Sequence, residues 1–208
     1  MVKKVENYHS PTSLFTFINN DSLCYLLEKR NKIKKTNEKT VLDYILEEGI
    51  NYENLIVNQI YKKARENGDE NIIIKIEKEG LSEEEYYNKT KEIVKSEKYD
   101  VILGSIIYNE ENNTFGHPDL IVSNNWLNKY IENIEYSDRR DNKKIYYIID
   151  IKGTTINLIR GGKNICESKD LEAYKIQIYI YSQALNRIQN NKQKLINGFI
   201  LGKKYTYQ

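Results

Sequence analysis

Two aspartates and a lysine are the residues of this chain best placed to do chemistry together. Asp150 and Lys152 close the run Ile145-Tyr146-Tyr147-Ile148-Ile149-Asp150-Ile151-Lys152. That run is rich in β-branched and aromatic residues and is followed by Gly153, so it reads as a buried strand ending in two charges. Side chains alternate along a strand, which puts Asp150 and Lys152 on one face and Ile149 and Ile151 on the other. In Phe115–Val122 the same alternation groups His117, Asp119 and Ile121 against Pro118, Leu120 and Val122. If the two strands pair, Asp119 and Asp150 converge with Lys152 beside them.

Such a site suits phosphodiester hydrolysis. Two carboxylates hold a hard divalent cation such as Mg²⁺, which takes few protein ligands and keeps several waters. The cation polarises a phosphoryl oxygen and lowers the pKa of a bound water, while the lysine stabilises charge building on the phosphate or orients the nucleophile. An isolated Asp-x-Lys means little in a chain with 30% charged residues. Asp141-Asn142-Lys143 and Glu167-Ser168-Lys169 share the acid-to-lysine spacing but sit in polar stretches; only Asp150-Ile151-Lys152 ends an apolar strand.

The elements that must position these groups follow from periodicity. The 208 residues, 39% hydrophobic, suffice for one moderately sized domain. Residues 1–12 read as a loose lead-in. Ser13 to about Lys29 suggests two short helices, with Arg30–Thr40 a polar loop. A helix from Val41 is expected to stop at Gly49, and a longer one to run from about Tyr52 to Arg65 with Glu53 in its first turn. An acidic residue there favours the helix dipole, and Glu53 could also face the site. Asn71–Ile76 reads as a strand and Leu81–Glu97 as a polar helix capped by Ser82. Tyr99–Tyr108, a turn at Asn109–Asn113 and Phe115–Val122 read as a hairpin. A short helix around Trp126–Ile131 interrupts the charged connection to the central strand. Thr154–Lys163 reads as a mobile loop able to contact phosphate through Arg160 and Lys163, although Gly161-Gly162 is more often only a turn. From Asp170, Leu171, Tyr174, Ile178, Tyr181, Leu185 and Ile188 recur at three- and four-residue steps, a strong helical face. Gln177 lies one turn before Tyr181, open to either a packing or a catalytic role. Leu195–Leu201 would be the final strand.

Charge restricts little. A net charge of +2 does not by itself establish nucleic-acid binding. The basic groups Lys29, Arg30, Lys32, Lys34 and Lys35, then Arg160 and Lys163, then Lys203 and Lys204, read first as solvated surface. The 18 tyrosines read as core and strand residues rather than a base-stacking device. Cys24 and Cys166 form no close pair or metal array, which points to a reducing, intracellular setting. No membrane span or signal-peptide core is evident.

Taken together, Gly116-His117-Pro118-Asp119-Leu120-Ile121, Ile149-Asp150-Ile151-Lys152 and Gln177-Ile178-Tyr179-Ile180-Tyr181 resemble the motifs of the PD-(D/E)XK nuclease superfamily, particularly its RecB-like and lambda-exonuclease-like members found in large DNA viruses. The likeness spans about Val41 to Leu201. It implies an α/β (α+β) fold with a restriction-endonuclease-like core: a central mixed sheet flanked by helices in αβββαβ order, over residues 41–208, preceded by an N-terminal helical extension, 1–40. It further implies that Asp119 and Asp150 bind Mg²⁺ or Mn²⁺, with the Ile151 carbonyl as a further ligand, and that Lys152 is the catalytic lysine. Gln177 and Tyr181 would stand beside the site, and Glu53 would be the acidic residue of the first core helix. His117 leaves a direct role and a hydrogen-bonded strand histidine both open. No cysteine cluster resembles the iron–sulfur site of some relatives. Because the chain ends soon after its presumed last strand, it reads as a short nuclease-domain protein or as a remnant of a split reading frame.

The expected function is a Mg²⁺-dependent deoxyribonuclease acting in the host cytoplasm or at a viral replication site, with largely base-nonspecific DNA as partner. The competing reading is an inactive nuclease-fold module that binds nucleic acid or a viral protein. A purely structural viral protein is a third.

Overall fold

The computed structural model describes residues 8–11, 41–131, 144–159, 164–166, 169–190 and 197–207. Most of the expected N-terminal extension, including the 29–35 basic group, lies outside them, as do Arg160 and Lys163. The lead-in is not loose throughout. Tyr8 is buried edge-on against Tyr108, and His9 exchanges backbone hydrogen bonds with Asn113 and Phe115.

The described elements are helix α1 (Val41–Glu66), strand β1 (Ile73–Lys75), α2 (Glu83–Ser96), β2 (Val101–Leu103), β3 (Ile107–Asn109), β4 (Thr114–Gly116), β5 (Leu120–Ser123), α3 (Asn124–Tyr130), β6 (Tyr146–Ile159), β7 (Asn164–Ile165), α4 (Lys169–Ile188) and β8 (Gly198–Tyr207). This is a mixed α/β structure around a central mixed sheet in the order β1-β2-β5-β6-β7, with β8 also paired to β6. β1 runs parallel to β2 and β8 parallel to β6, while β2/β5, β5/β6 and β6/β7 are antiparallel. α1 packs one face, where Ile60 and Ala64 meet Val101, Leu120, Val122, Tyr147 and Ile149. α2 and α4 pack the other, where Val94, Tyr181 and Leu185 meet Ile102, Ile121, Tyr146 and Ile148. The alternation expected for β5 and β6 is therefore present residue by residue. No helix among the described residues is long and apolar enough to cross a membrane.

Several expected boundaries shift, each for a physical reason. Tyr99–Tyr108 and Phe115–Val122 are not continuous strands: each breaks in two, and β3 and β4 form a separate two-stranded sheet. One break falls at Gly104, whose positive φ of 59° suits glycine. The other falls at His117-Pro118-Asp119, where proline cannot donate to a ladder. The helix does not stop at Gly49. It passes through as one element, and the bare glycine at 153 lets α1 cross close over β6, since a Cβ there would lie 3.3 Å from the Gly49 Cα. Nor does β6 end at Gly153: Thr154–Ile159, expected as loop, continues the strand, held by β8, which itself runs past Leu201 to Tyr207. Lys203 and Lys204 are exposed on β8. The expected cap of α2 is present as a reciprocal pair: the Ser82 hydroxyl accepts from the Glu85 N–H, and the Glu85 carboxylate accepts from the Ser82 N–H.

Candidate active site

β5 and β6 bring the two aspartates together. Their last ladder pair is Leu120↔Ile149, so Asp119 and Asp150 stand across from each other one step further on. There the ladder is replaced by a side chain, since the Asp119 Oδ2 accepts the Ile151 N–H at 2.6 Å. The N–H and C=O of one strand residue point to the same edge, so the Ile151 carbonyl faces the same opening.

Asp150 is 1% exposed. Its Oδ2 lies 2.6 Å from the Lys152 Nζ but has no aligned hydrogen bond, so that oxygen is neutralised without a directed donor. Its Oδ1 accepts from the Gln177 Nε2 at 3.3 Å. The Gln177 Oε1 accepts from the Lys152 ammonium at 3.1 Å, and its Nε2 also reaches the Tyr181 hydroxyl at 3.2 Å. One amide thus reads the lysine, the aspartate and the tyrosine, which satisfies the need of a partly buried glutamine for partners. The α4 helix supplies this arrangement because Gln177 and Tyr181 stand one turn apart on the face packed against β6.

Tyr181 in turn holds the segment that carries Asp119. Its ring lies where a Gly116 side chain would be, 2.0 Å from an ideal Cβ, so only glycine fits there. Its hydroxyl has a backbone hydrogen bond with His117, and burial pushes its pKa up to about 12, so it remains a neutral phenol.

Burial raises both aspartates. Asp119 is pushed up to about 7, first by desolvation and then by the facing Asp150, against the pull of the Ile151 N–H. Asp150 is also raised by burial, with Lys152 opposing the shift. Both shifts favour the protonated form, so the facing pair keeps a proton more readily than two isolated aspartates would. The Glu53 carboxyl on α1 is raised by desolvation, lowered by Lys152 and raised by Asp150, which places it within electrostatic reach of the cluster. The close passage of α1 over Gly153 brings it there.

His117 lies outside this cluster. Its ring is beside Tyr86 and Phe115 and has a backbone hydrogen bond with Ser105, and desolvation followed by Lys78 holds its pKa low. It is not a strand residue, since it sits in the break between β4 and β5. Sequence reasoning missed a further neighbour: the Tyr174 ring centroid is 4.8 Å from the Lys152 Nζ. Its spacing of one turn before Gln177 was the available signal, but the apolar periodicity of α4 absorbed it.

Among the described residues no group of three or more His, Cys, Asp or Glu side chains could hold a metal ion. The two facing carboxylates and a carbonyl edge are nonetheless the all-oxygen donors that a hard cation accepts, with water completing its shell. The Asp150 Oδ2, buried beside the Lys152 ammonium without a directed hydrogen bond, and the partly exposed Asp119 carboxylate fit such a donor set. A cavity of about 520 Å³ opens elsewhere, around Ile56, Ile60, Trp126 and Tyr130, and none of the site residues lines it. No family model, curated protein or solved structure matches the chain.

Proposed function

We propose that the chain is a metal-dependent nuclease with a restriction-endonuclease-like core, hydrolysing DNA phosphodiester bonds at the cluster of Asp119, Asp150 and Lys152. The observation that carries this reading is the facing of two carboxylates, Asp150 buried and Asp119 partly buried, where β5 and β6 meet, with a lysine ammonium 2.6 Å from Asp150. Asp119, Asp150 and the Ile151 carbonyl would hold Mg²⁺ or Mn²⁺. When bound, the cation supplies Lewis acidity toward the phosphate and acidifies water.

The chain's own residues do the rest. Lys152 donates charge and hydrogen bonds to the phosphate oxygens as negative charge builds there. Gln177 aims the ammonium and keeps the Asp150 carboxylate in place. Tyr181, a neutral phenol clamped on Gly116, fixes the Asp119 segment. Glu53, with its raised carboxyl, is positioned to take up a proton at the margin of the site. Lys203 and Lys204, exposed on the extension of β8, are available for the DNA backbone.

Purified protein incubated with linear and with closed circular DNA, in Mg²⁺, Mn²⁺ or EDTA, tests the proposal. Metal-dependent loss of linear DNA alone identifies an end-dependent enzyme, and cutting of the circle an endonuclease. A folded protein inert on both in either metal overturns the proposal; salt-sensitive DNA binding without turnover would then favour a non-catalytic binding module.

A further inference from the structure

We infer that Tyr174 is a positioning residue for Lys152, its ring face and the Gln177 carbonyl together fixing where the ammonium sits; the catalytic meaning of this role rests on the nuclease reading above.

Among the described residues the ammonium feels the Glu53 and Asp119 carboxyls at longer range, and three nearer neighbours differ in kind. Asp150 Oδ2 at 2.6 Å supplies charge, Gln177 Oε1 at 3.1 Å supplies a directed acceptor, and the Tyr174 face, 4.8 Å from Nζ to centroid, supplies the ring quadrupole. Asp150 alone would draw the ammonium onto the carboxylate and away from a phosphate. Tyr174 and Gln177 pull from the α4 side, and being three residues apart they approach from one helical face.

The contact is not simply the local pairing that a chain rich in lysine and tyrosine produces. Tyr174 is only partly buried and belongs to neither of the two hydrophobic clusters. Ring contacts such as Lys91 with Tyr87, Lys98 with Tyr99 and Lys129 with Tyr130 join residues adjacent in sequence or one turn apart. Lys152 and Tyr174 come from a strand and a helix that only the tertiary fold brings together. With its side chain 18% exposed, Lys152 is shielded enough for the attraction to count.

The test follows the lysine itself. In protein labelled with ¹³C-lysine, the Lys152 ε-methylene resonance, assigned by its absence in Lys152→Met, is displaced upfield by the ring current. Tyr174→Phe is expected to keep that displacement and Tyr174→Leu to abolish it. In cleavage assays the Leu variant is expected to lose on the order of tenfold in kcat with KM for DNA unchanged, and the Phe variant to restore it. A Lys152 signal unmoved by Leu, or a Phe variant that behaves like Leu, overturns the inference. Should the Leu variant not fold, Tyr174→Trp must enlarge the displacement, and an unchanged signal overturns it equally. If wild type cleaves nothing yet the resonance follows the ring, the nuclease reading fails and the positioning role stands.

Discussion

Asp119 faces Asp150 one step beyond the last pair of the β5/β6 ladder, and its carboxylate takes the Ile151 N–H that the ladder leaves over. Like charges are held in a buried place by backbone geometry. Such a pair costs folding stability when both are ionised, and it relaxes by keeping a proton or by acquiring a cation.

Stability in EDTA should therefore depend on pH through Asp119. This side chain titrates near 7 when folded and near 3.9 when unfolded. The folded state holds the extra proton between those values, so the stabilisation is complete below about pH 4 and is lost as pH rises through about 7. The full shift corresponds to about 4 kcal/mol. Because Asp119 is partly exposed and shares its proton, on the order of 2 kcal/mol is expected. Urea unfolding of Asp119→Asn, which keeps an acceptor for Ile151, should show a flatter pH profile and higher stability than wild type at pH 8.

Divalent cations should reverse that penalty. At pH 8, Mn²⁺ at a hundredfold its Kd stabilises the folded protein by about 2.7 kcal/mol by mass action. That raises Tm by roughly 5–10 °C for a domain of this size. Differential scanning fluorimetry should show the rise for wild type and not for Asp119→Asn or Asp150→Asn.

The clamp of Tyr181 on Gly116 predicts a coupled pair. Gly116→Ala places a Cβ 2.0 Å from the Tyr181 ring. Overpacking of this kind costs about 1–3 kcal/mol, and here it also displaces the phenol from Gln177 and His117. Combined with Tyr181→Leu, which removes the obstructing ring, the penalties should be less than additive in urea unfolding.

Strand alternation was enough to read Asp119, Asp150 and Lys152 onto one face, because a one-residue slip of β5 or β6 would turn every side chain to the other face and drive Asp150 into the core beneath α1. Gln177 and Tyr181 were legible from helical spacing. What escaped the sequence depended on contacts between distant segments. Gly49 looks like a helix end until Gly153 is seen beneath it, and Gly153 looks like a strand end until β8 is seen beside it. The breaks at Gly104 and Pro118 are locally visible, yet they sent β3 and β4 into their own sheet only because both strands break at matching points. Tyr174 was hidden within an apolar stripe whose period cannot tell a ring facing the core from one facing an ammonium. Arg160 and Lys163, read as phosphate contacts, fall outside the described residues.

The central claim is tested most directly by single-turnover cleavage of end-labelled duplex DNA in Mg²⁺, comparing wild type with Asp150→Asn and Lys152→Met after each variant is shown to be folded. The account predicts cleavage by wild type that EDTA abolishes, and a loss of at least about a hundredfold in each variant, the scale on which removal of an electrostatic catalytic group is felt. Wild-type cleavage that survives both substitutions, or the absence of any cleavage by folded wild type, would contradict it.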